Sequence, residues 1–243
     1  MRLRIFVYVI SLFFLTSCHT VYHPATVRSS GYAVSGGTSS DTGFASYLKP
    51  YRDSMDNTMS EVLGTASKRM DVRRPASTLG NFMCDAMLDM AREKFDQGAD
   101  LAVVNLGGIR RPYLEPGPVT CGMLFEIMPF DNLMVLVTVK GTVLEAFLQE
   151  TAADGAGIGG FTMKVTNKKA TEIRINGTLL DPSGEYTIVY SDYSLNNSRI
   201  LKGSPAKQTN YLIRSAMEDY VKKMGRSGKQ IGDNLENRFY AGN

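Results

Sequence analysis

Val103-Val104-Asn105-Leu106-Gly107-Gly108-Ile109-Arg110 is the stretch from which the fold reads outward. The apolar run Ala99 to Val104 predicts a buried strand, being short, branched and bounded by polar turn residues. Paired glycines then sit between an asparagine and an arginine. Without a Cβ they let backbone amides approach a ligand and permit positive φ at little cost. Arg110 beyond them offers a planar fork of donors suited to phosphate or carboxylate. Such a turn is common in proteins that bind nothing there, so the weight falls on the rest of the chain.

Upstream, Met1 to Cys18 has the form of an export signal. Arg2 and Arg4 precede an apolar run from Ile5 to Leu15, too short to span a bilayer, which takes roughly 20 residues. Leu15-Thr16-Ser17-Cys18 resembles a bacterial lipobox, which predicts lipidation of Cys18 and a tether to a bacterial membrane. The alternative is an ordinary cleaved signal with Cys18 incidental. No acidic cluster follows Cys18, so the expected placement is periplasm-facing. Residues 19–45 are rich in Gly, Ser and Thr without apolar periodicity, and are expected to form a flexible linker.

Residues 46–243 are long enough for one domain with a substantial core. Without residues 1–18, 25 basic residues face 24 acidic ones, a balance that argues against a nucleic-acid polymer as partner. Cys84 and Cys121 remain. They are able to pair in an oxidising compartment, but Cys84 among Phe82, Met83 and Met87 favours buried free thiols.

Periodicity predicts helices over 47–66, from Ser77 to about Phe95, 121–128, 142–151 and 210–224. Strands are expected over 99–104, 133–139, 161–165, 172–175, 186–190 and 235–240, with a hairpin turn at Asn176-Gly177. Lys68 to Arg74 is expected as a solvated loop, Pro112 to Thr120 as a Pro/Gly loop and Gly155 to Gly160 as a flexible one. Strands and helices mix without strict alternation, so the fold class is α+β with a mixed sheet packed by helices.

Seven segments then fall in one order: Leu79-Gly80-Asn81, Asn105-Leu106-Gly107-Gly108-Ile109-Arg110, Pro129-Phe130, Val139-Lys140-Gly141-Thr142-Val143-Leu144, Leu179-Leu180-Asp181-Pro182, Tyr186-Thr187-Ile188 and Leu235-Glu236-Asn237-Arg238-Phe239. The set, spanning about residue 46 to the end, resembles the C-terminal domain of the 5′-nucleotidase family, the group of UDP-sugar hydrolase and the ectonucleotidases. The resemblance implies a domain that grips the nucleoside part of a substrate and delivers it to a separate two-metal phosphatase domain. By motif it assigns Asn105 to the base, Arg73 and Arg110 to the phosphate and ribose side, Gly107 and Gly108 to the close turn, and Phe130 and Tyr193 to two walls of an aromatic clamp.

Two departures stand out. The family runs on from its second aromatic into Gly-Gly-Asp-Gly, whose aspartate holds the ribose hydroxyls. Here the run is Asn196-Asn197-Ser198-Arg199, and an arginine cannot accept hydroxyl protons. The histidines are His19 and His23, both in the linker, so these residues carry no metallophosphatase signature and no Ser-His-Asp or Cys-His arrangement. The expectation is a substrate-binding half of a phosphoester hydrolase with no cofactor of its own, joined to a separate metallophosphatase chain. A stand-alone nucleotide- or nucleoside-binding lipoprotein, or a scaffold that has lost its ligand, are the alternatives.

Overall fold

The computed structural model describes residues 29–32 and 41–241. The expected signal segment, the lipidation site at Cys18 and most of the expected linker lie outside them. The chain divides into two compact units, residues 1–47 and 48–243. Among the described residues no helix is long and apolar enough to cross a membrane.

Helix α1, Thr42–Met59, buries none of its side chains. It starts inside the stretch expected to be linker and stops short of the expected helix end. Val62–Ala66 is strand β1 instead, paired antiparallel with β5, Gly117–Thr120. Leu63 and Ala66 face the core while Val62 is exposed. Two expected loops also contain strands: β2, Met70–Asp71, pairs with β4, Tyr113–Leu114. Met70 and Leu114 are buried there, so the basic segment 68–74 is pinned at its middle and solvated only around it.

Helix α2 is Thr78–Lys94, capped by Ser77, whose hydroxyl accepts from the Gly80 amide at 2.9 Å. Strand β3, Leu101–Val104, is buried along its whole length. Helix α3, Cys121–Ile127, leads to β6, Leu133–Lys140, and α4, Gly141–Asp154. The expected flexible loop at 155–160 holds buried strand β7, Gly157–Gly159. Strands β8, Phe161–Thr166, and β9, Lys169–Ile175, form the expected hairpin, and β10 is Thr178–Leu179. Asn176 and Gly177 take φ of 48° and 87° between β9 and β10, the two positive values of a type I′ turn. Strand β11, Glu185–Ser191, is followed by α5, Asp192–Asn197. The helix expected from Asn210 starts three residues later: β12 is Ala206–Leu212 and α6 is Ile213–Arg226. Strand β13, Phe239–Ala241, is the terminal strand, shorter than expected.

The central sheet has the order β12-β6-β11-β3-β7, and a second sheet the order β10-β9-β8-β13. In the central sheet β11 runs parallel to β3 and antiparallel to β6, so the sheet is mixed. Alternate residues of β3 enter different cores, because successive side chains point to opposite faces. Ala102 and Val104 join Phe82, Met87 and Met217 of α2 and α6. Leu101 and Val103 join Leu144 and Phe147 of α4 and Phe161 of the second sheet. With both faces covered, β3 and β6 read as nearly continuous apolar runs rather than alternating ones. Cys84 and Cys121 are free and buried, and burial pushes both thiols up.

Candidate functional site

The parallel pairing of β3 and β11 decides where a ligand can sit. Both strands end at one edge of the central sheet, and β6 begins there, with Met134 opposite Ser191. Open mixed sheets bind ligands beyond such carboxyl ends. The three segments leaving or entering at that edge carry Asn105 to Arg110, Phe130 to Asn132, and Asp192 to Ser194. Between them lies a cavity of about 300 Å³ lined by Asn105, Gly107, Gly108, Arg110, Phe130 and Tyr193.

Each wall is held by local chemistry. The Asn105 side-chain oxygen accepts from the Gly107 amide at 3.0 Å and caps a single 3-10 turn, Leu106–Gly108. Its amide nitrogen makes no hydrogen bond among the described residues. Gly107 and Gly108 do not take positive φ, so of the two reasons the sequence suggested for them only close approach remains. Near Gly108 an added Cβ would come close to the Met128 methyl alone, at 3.9 Å. These glycines thus keep the cavity floor low, and the backbone does not need them. The Arg110 amide donates to the Ile127 carbonyl at 2.9 Å, and its guanidinium carbon lies 5.0 Å from the centre of the Phe130 ring. Arg111 pairs with Glu126, whereas Arg110 has no ion-pair partner among the described residues. Its charge is spread over an aromatic face and remains available to an anion.

Phe130 and Tyr193 are 37% and 62% exposed, which leaves ring surface open to a flat ligand. Tyr193 is placed by Asp192, whose Oδ1 accepts from the Tyr193 amide at 2.7 Å and from the Leu133 amide at 3.0 Å. Arg73, the seventh expected residue, does not line the cavity. Its side chain is 76% exposed, 3.6 Å from the Asp71 carboxylate.

Two residues that motif reading passed over belong here. Asn132 lines the cavity with a side-chain amide that is not hydrogen-bonded among the described residues, and the Pro129-Phe130-Asp131-Asn132 turn was the signal that could have found it. Arg214, on α6, is 7% exposed. It donates to the carbonyls of Met128 and Phe130, both at 3.1 Å, and to Asp131 Oδ1 at 2.6 Å. Its guanidinium carbon lies 4.0 Å from the centre of the Phe125 ring. An arginine on the apolar face of an amphipathic helix was the available clue. Arg214→Met keeps the stem and removes the donors, leaving a buried carbonyl unmet at a cost of about 1–3 kcal/mol. The expected result is a lower Tm together with weaker ligand affinity, partly recovered by Arg214→Lys. An unchanged Tm and affinity would show that the turn holds Phe130 without it.

Next to this cavity lies a second, of about 220 Å³, which shares Asn105 and Tyr193 with the first and adds Glu150, Asp154 and Arg199. The substitution at Arg199 reads from sequence as a reversal of charge. In the fold Glu150 rises from α4, and its Oε1 accepts from Arg199 Nε at 2.8 Å and also from a terminal guanidinium nitrogen. The arginine is neutralised where it stands, and the Glu150 contact in turn raises its pKa. Burial pushes the neighbouring Tyr190 phenol up to about 12, so it stays protonated at neutral pH.

The residues do not fit a two-metal centre. Such a centre draws on histidine and carboxylate ligands, but no histidine occurs after residue 23. Among the described residues no three His, Cys, Asp or Glu side chains cluster as ligands.

With the geometry in hand, comparison with known proteins names the family. The family model for the 5′-nucleotidase C-terminal domain matches residues 59–201. The chain belongs to that family. The 5′-nucleotidase C-terminal domain described above is 29% identical over 163 residues to endonuclease YhcR of Bacillus subtilis, covering 63% of this chain and 13% of that protein. It is 30% identical over 126 residues to the 5′-nucleotidase of Mus musculus, covering 47% of this chain and 22% of that one. The chain thus matches under a third of the length of these relatives. Among solved structures, the 5′-nucleotidase precursor from Thermus thermophilus superposes with a TM-score of 0.70 at 24% identity, covering 83% of this chain and 43% of that one. The Haemophilus influenzae NAD nucleotidase gives 0.64 at 15%, covering 84% and 42%. Both likenesses establish the α+β fold.

Proposed function

We propose that this domain binds the nucleoside part of a nucleotide and presents its phosphate ester to a metallophosphatase on a separate chain, as one half of a 5′-nucleotidase-type hydrolase in nucleotide catabolism. The observation that carries the reading is the convergence of Asn105, Gly107, Gly108, Arg110, Phe130 and Tyr193 on one cavity. They come from three separate segments, and their chemistry is complementary. Two open aromatic faces suit a flat base, an unpaired arginine suits the anionic end, and free amides on Asn105 and Asn132 suit the edge of a base. The volume lies at the lower end of small-molecule sites. Divalent metals belong, in this reading, to the partner. The Leu15-Thr16-Ser17-Cys18 run supports export and a lipid anchor at Cys18, with the domain facing the periplasm.

Calorimetric titration of the purified protein with adenosine, AMP and UDP-glucose, without metal, tests the binding half. Saturable binding of at least one of them is expected. Silence with all three removes the nucleotide reading and leaves a scaffold. A pull-down from membrane extract tests the other half. If no metallophosphatase is recovered while nucleotide still binds, the domain works as a stand-alone binding lipoprotein.

A further inference from the structure

The β6–β11 ladder ends at Ser191 opposite Met134, and the next pair in that register is Asp192 opposite Leu133. A side chain takes over the rung there. Asp192 Oδ1 accepts from the Leu133 amide at 3.0 Å and from the Tyr193 amide at 2.7 Å. Backbone rungs hold strands about 4.8 Å apart, whereas a rung made by a side chain lets the two chains part as they reach the cavity. Phe130 lies three residues before Leu133, and Tyr193 directly follows Asp192. One carboxylate oxygen therefore joins the two aromatic walls. The Phe130 wall is otherwise tied to α6, through Arg214 on the Phe130 carbonyl and the Ile213 amide on the Asn132 carbonyl at 3.0 Å. The Asn132–Leu133 peptide is thus gripped at both ends, its carbonyl by α6 and its N–H by Asp192. The Tyr193 wall has less support. Helix α5 is six residues long and buries Leu195, and its cap bond, from the Ser194 amide to Ser191 Oγ, is 3.4 Å.

We propose that Asp192 is a positioning residue that sets the gap between Phe130 and Tyr193, and so how strongly the site prefers a ligand carrying a flat base. The inference rests on the nucleotide-binding reading above and adds to it the residue that makes the base count. A base is gripped on both faces only if both rings stand at contact distance together. About 0.5–1 Å of slack already forfeits roughly a quarter to a half of a dispersion contact. An acidic residue in the first turn of α5 also suits the helix dipole, but the two roles make different demands. The dipole needs a negative charge near the turn. The tie needs an acceptor oxygen at one fixed reach, charged or not.

The test titrates the full chain calorimetrically with AMP and, by displacement of AMP, with ribose 5-phosphate, which carries a hydroxyl in place of the base. The intact protein is expected to bind AMP at least about tenfold more tightly, and Asp192→Ala should cut that ratio about tenfold while leaving the affinity for ribose 5-phosphate nearly unchanged. Asp192→Asn keeps the acceptor in place and should hold the ratio to within about threefold of the intact protein. Asp192→Glu keeps the charge but carries it one methylene too far, and should lose as much as Asp192→Ala. These two variants decide the matter even if Asp192→Ala does not fold. The reverse ranking, with Asp192→Glu retaining the ratio and Asp192→Asn losing it, reduces the residue to a helix charge and overturns the inference. So do equal affinities for the two ligands in the intact protein, a ratio unmoved by every variant, or equal losses for both ligands, and each of these leaves nucleotide binding intact. Failure of the intact protein to bind AMP at all overturns the nucleotide reading and the inference with it.

Discussion

Phe130→Ala is expected to weaken nucleoside and nucleotide binding by roughly 5- to 150-fold, the equivalent of about 1–3 kcal/mol for one lost base stack. The size of the effect follows from what the ring does in the free protein. It stays over a third exposed at the mouth of the cavity, with the Arg110 guanidinium 5.0 Å from its centre. Removing it takes away a stacking surface and also the face that positions Arg110. The loss should thus exceed stacking alone for AMP and approach stacking alone for adenosine. The Phe130→Ala, Arg110→Ala double variant should then be less damaging than the two single losses combined, because the residues act as a unit. Stability should fall modestly, since the residue is only 37% exposed and part of its burial is lost. Calorimetric titration of the four proteins decides it. Wild-type affinity in Phe130→Ala would remove the aromatic clamp, and a fall in Tm matching the fall in affinity would reduce it to a packing defect.

Much of this site was visible in the residues before any geometry, and the reason is local. Asn105 to Arg110 directly follows a buried strand, and Phe130 sits in a Pro-containing turn directly before another. Such positions at strand ends are set by short-range signals. The parts that escaped depend on partners distant in sequence. Arg214 meets Met128 and Phe130 from more than 80 residues away, and Glu150 meets Arg199 from 49 away. No spacing rule connects such pairs, so Arg199 looked like a bare charge. The fold shows the same division. Strand β6 and the β8–β9 hairpin carry their own turn and apolar signals. Strands β2, β4 and β7 are two or three residues long and exist because a partner strand and a covering helix are already in place. Gly157-Ile158-Gly159 reads as a loop from composition, since glycine disfavours strands. Gly157 is there because the Gly80 backbone passes close by, and Gly159 because the Cys84 and Leu88 side chains do.

That close approach makes the largest stability prediction. Gly157→Ala is expected to cost about 3 kcal/mol or more, at the upper end of overpacking substitutions. A Cβ on Gly157 would collide with the Gly80 carbonyl carbon and lie 2.5 Å from its Cα and oxygen. Gly80 is backbone in the first turn of α2, and no side-chain rotation can make room. The contact is also fastened beside the collision. Asn81, the next residue, accepts from the Ile158 amide and donates to the Leu235 carbonyl, both at 2.7 Å. Moving β7 away from α2 to admit a methyl would stretch the first of these bonds, with both groups buried. The Leu79-Gly80-Asn81 sequence thus has a joint physical meaning: glycine lets β7 approach, and asparagine then holds it. For a domain of this size the loss corresponds to a fall in Tm of roughly 6–12 °C. Gly108→Ala, whose Cβ meets no atom closer than 3.9 Å, is the matched control and should leave Tm within a degree or two. Because β7 pairs with β3, and β3 leads directly into Asn105, a Gly157→Ala protein that still folds should also bind ligand less tightly. Differential scanning calorimetry of both variants decides the matter, and an unshifted Tm in Gly157→Ala would mean that α2 and β7 are not in backbone contact.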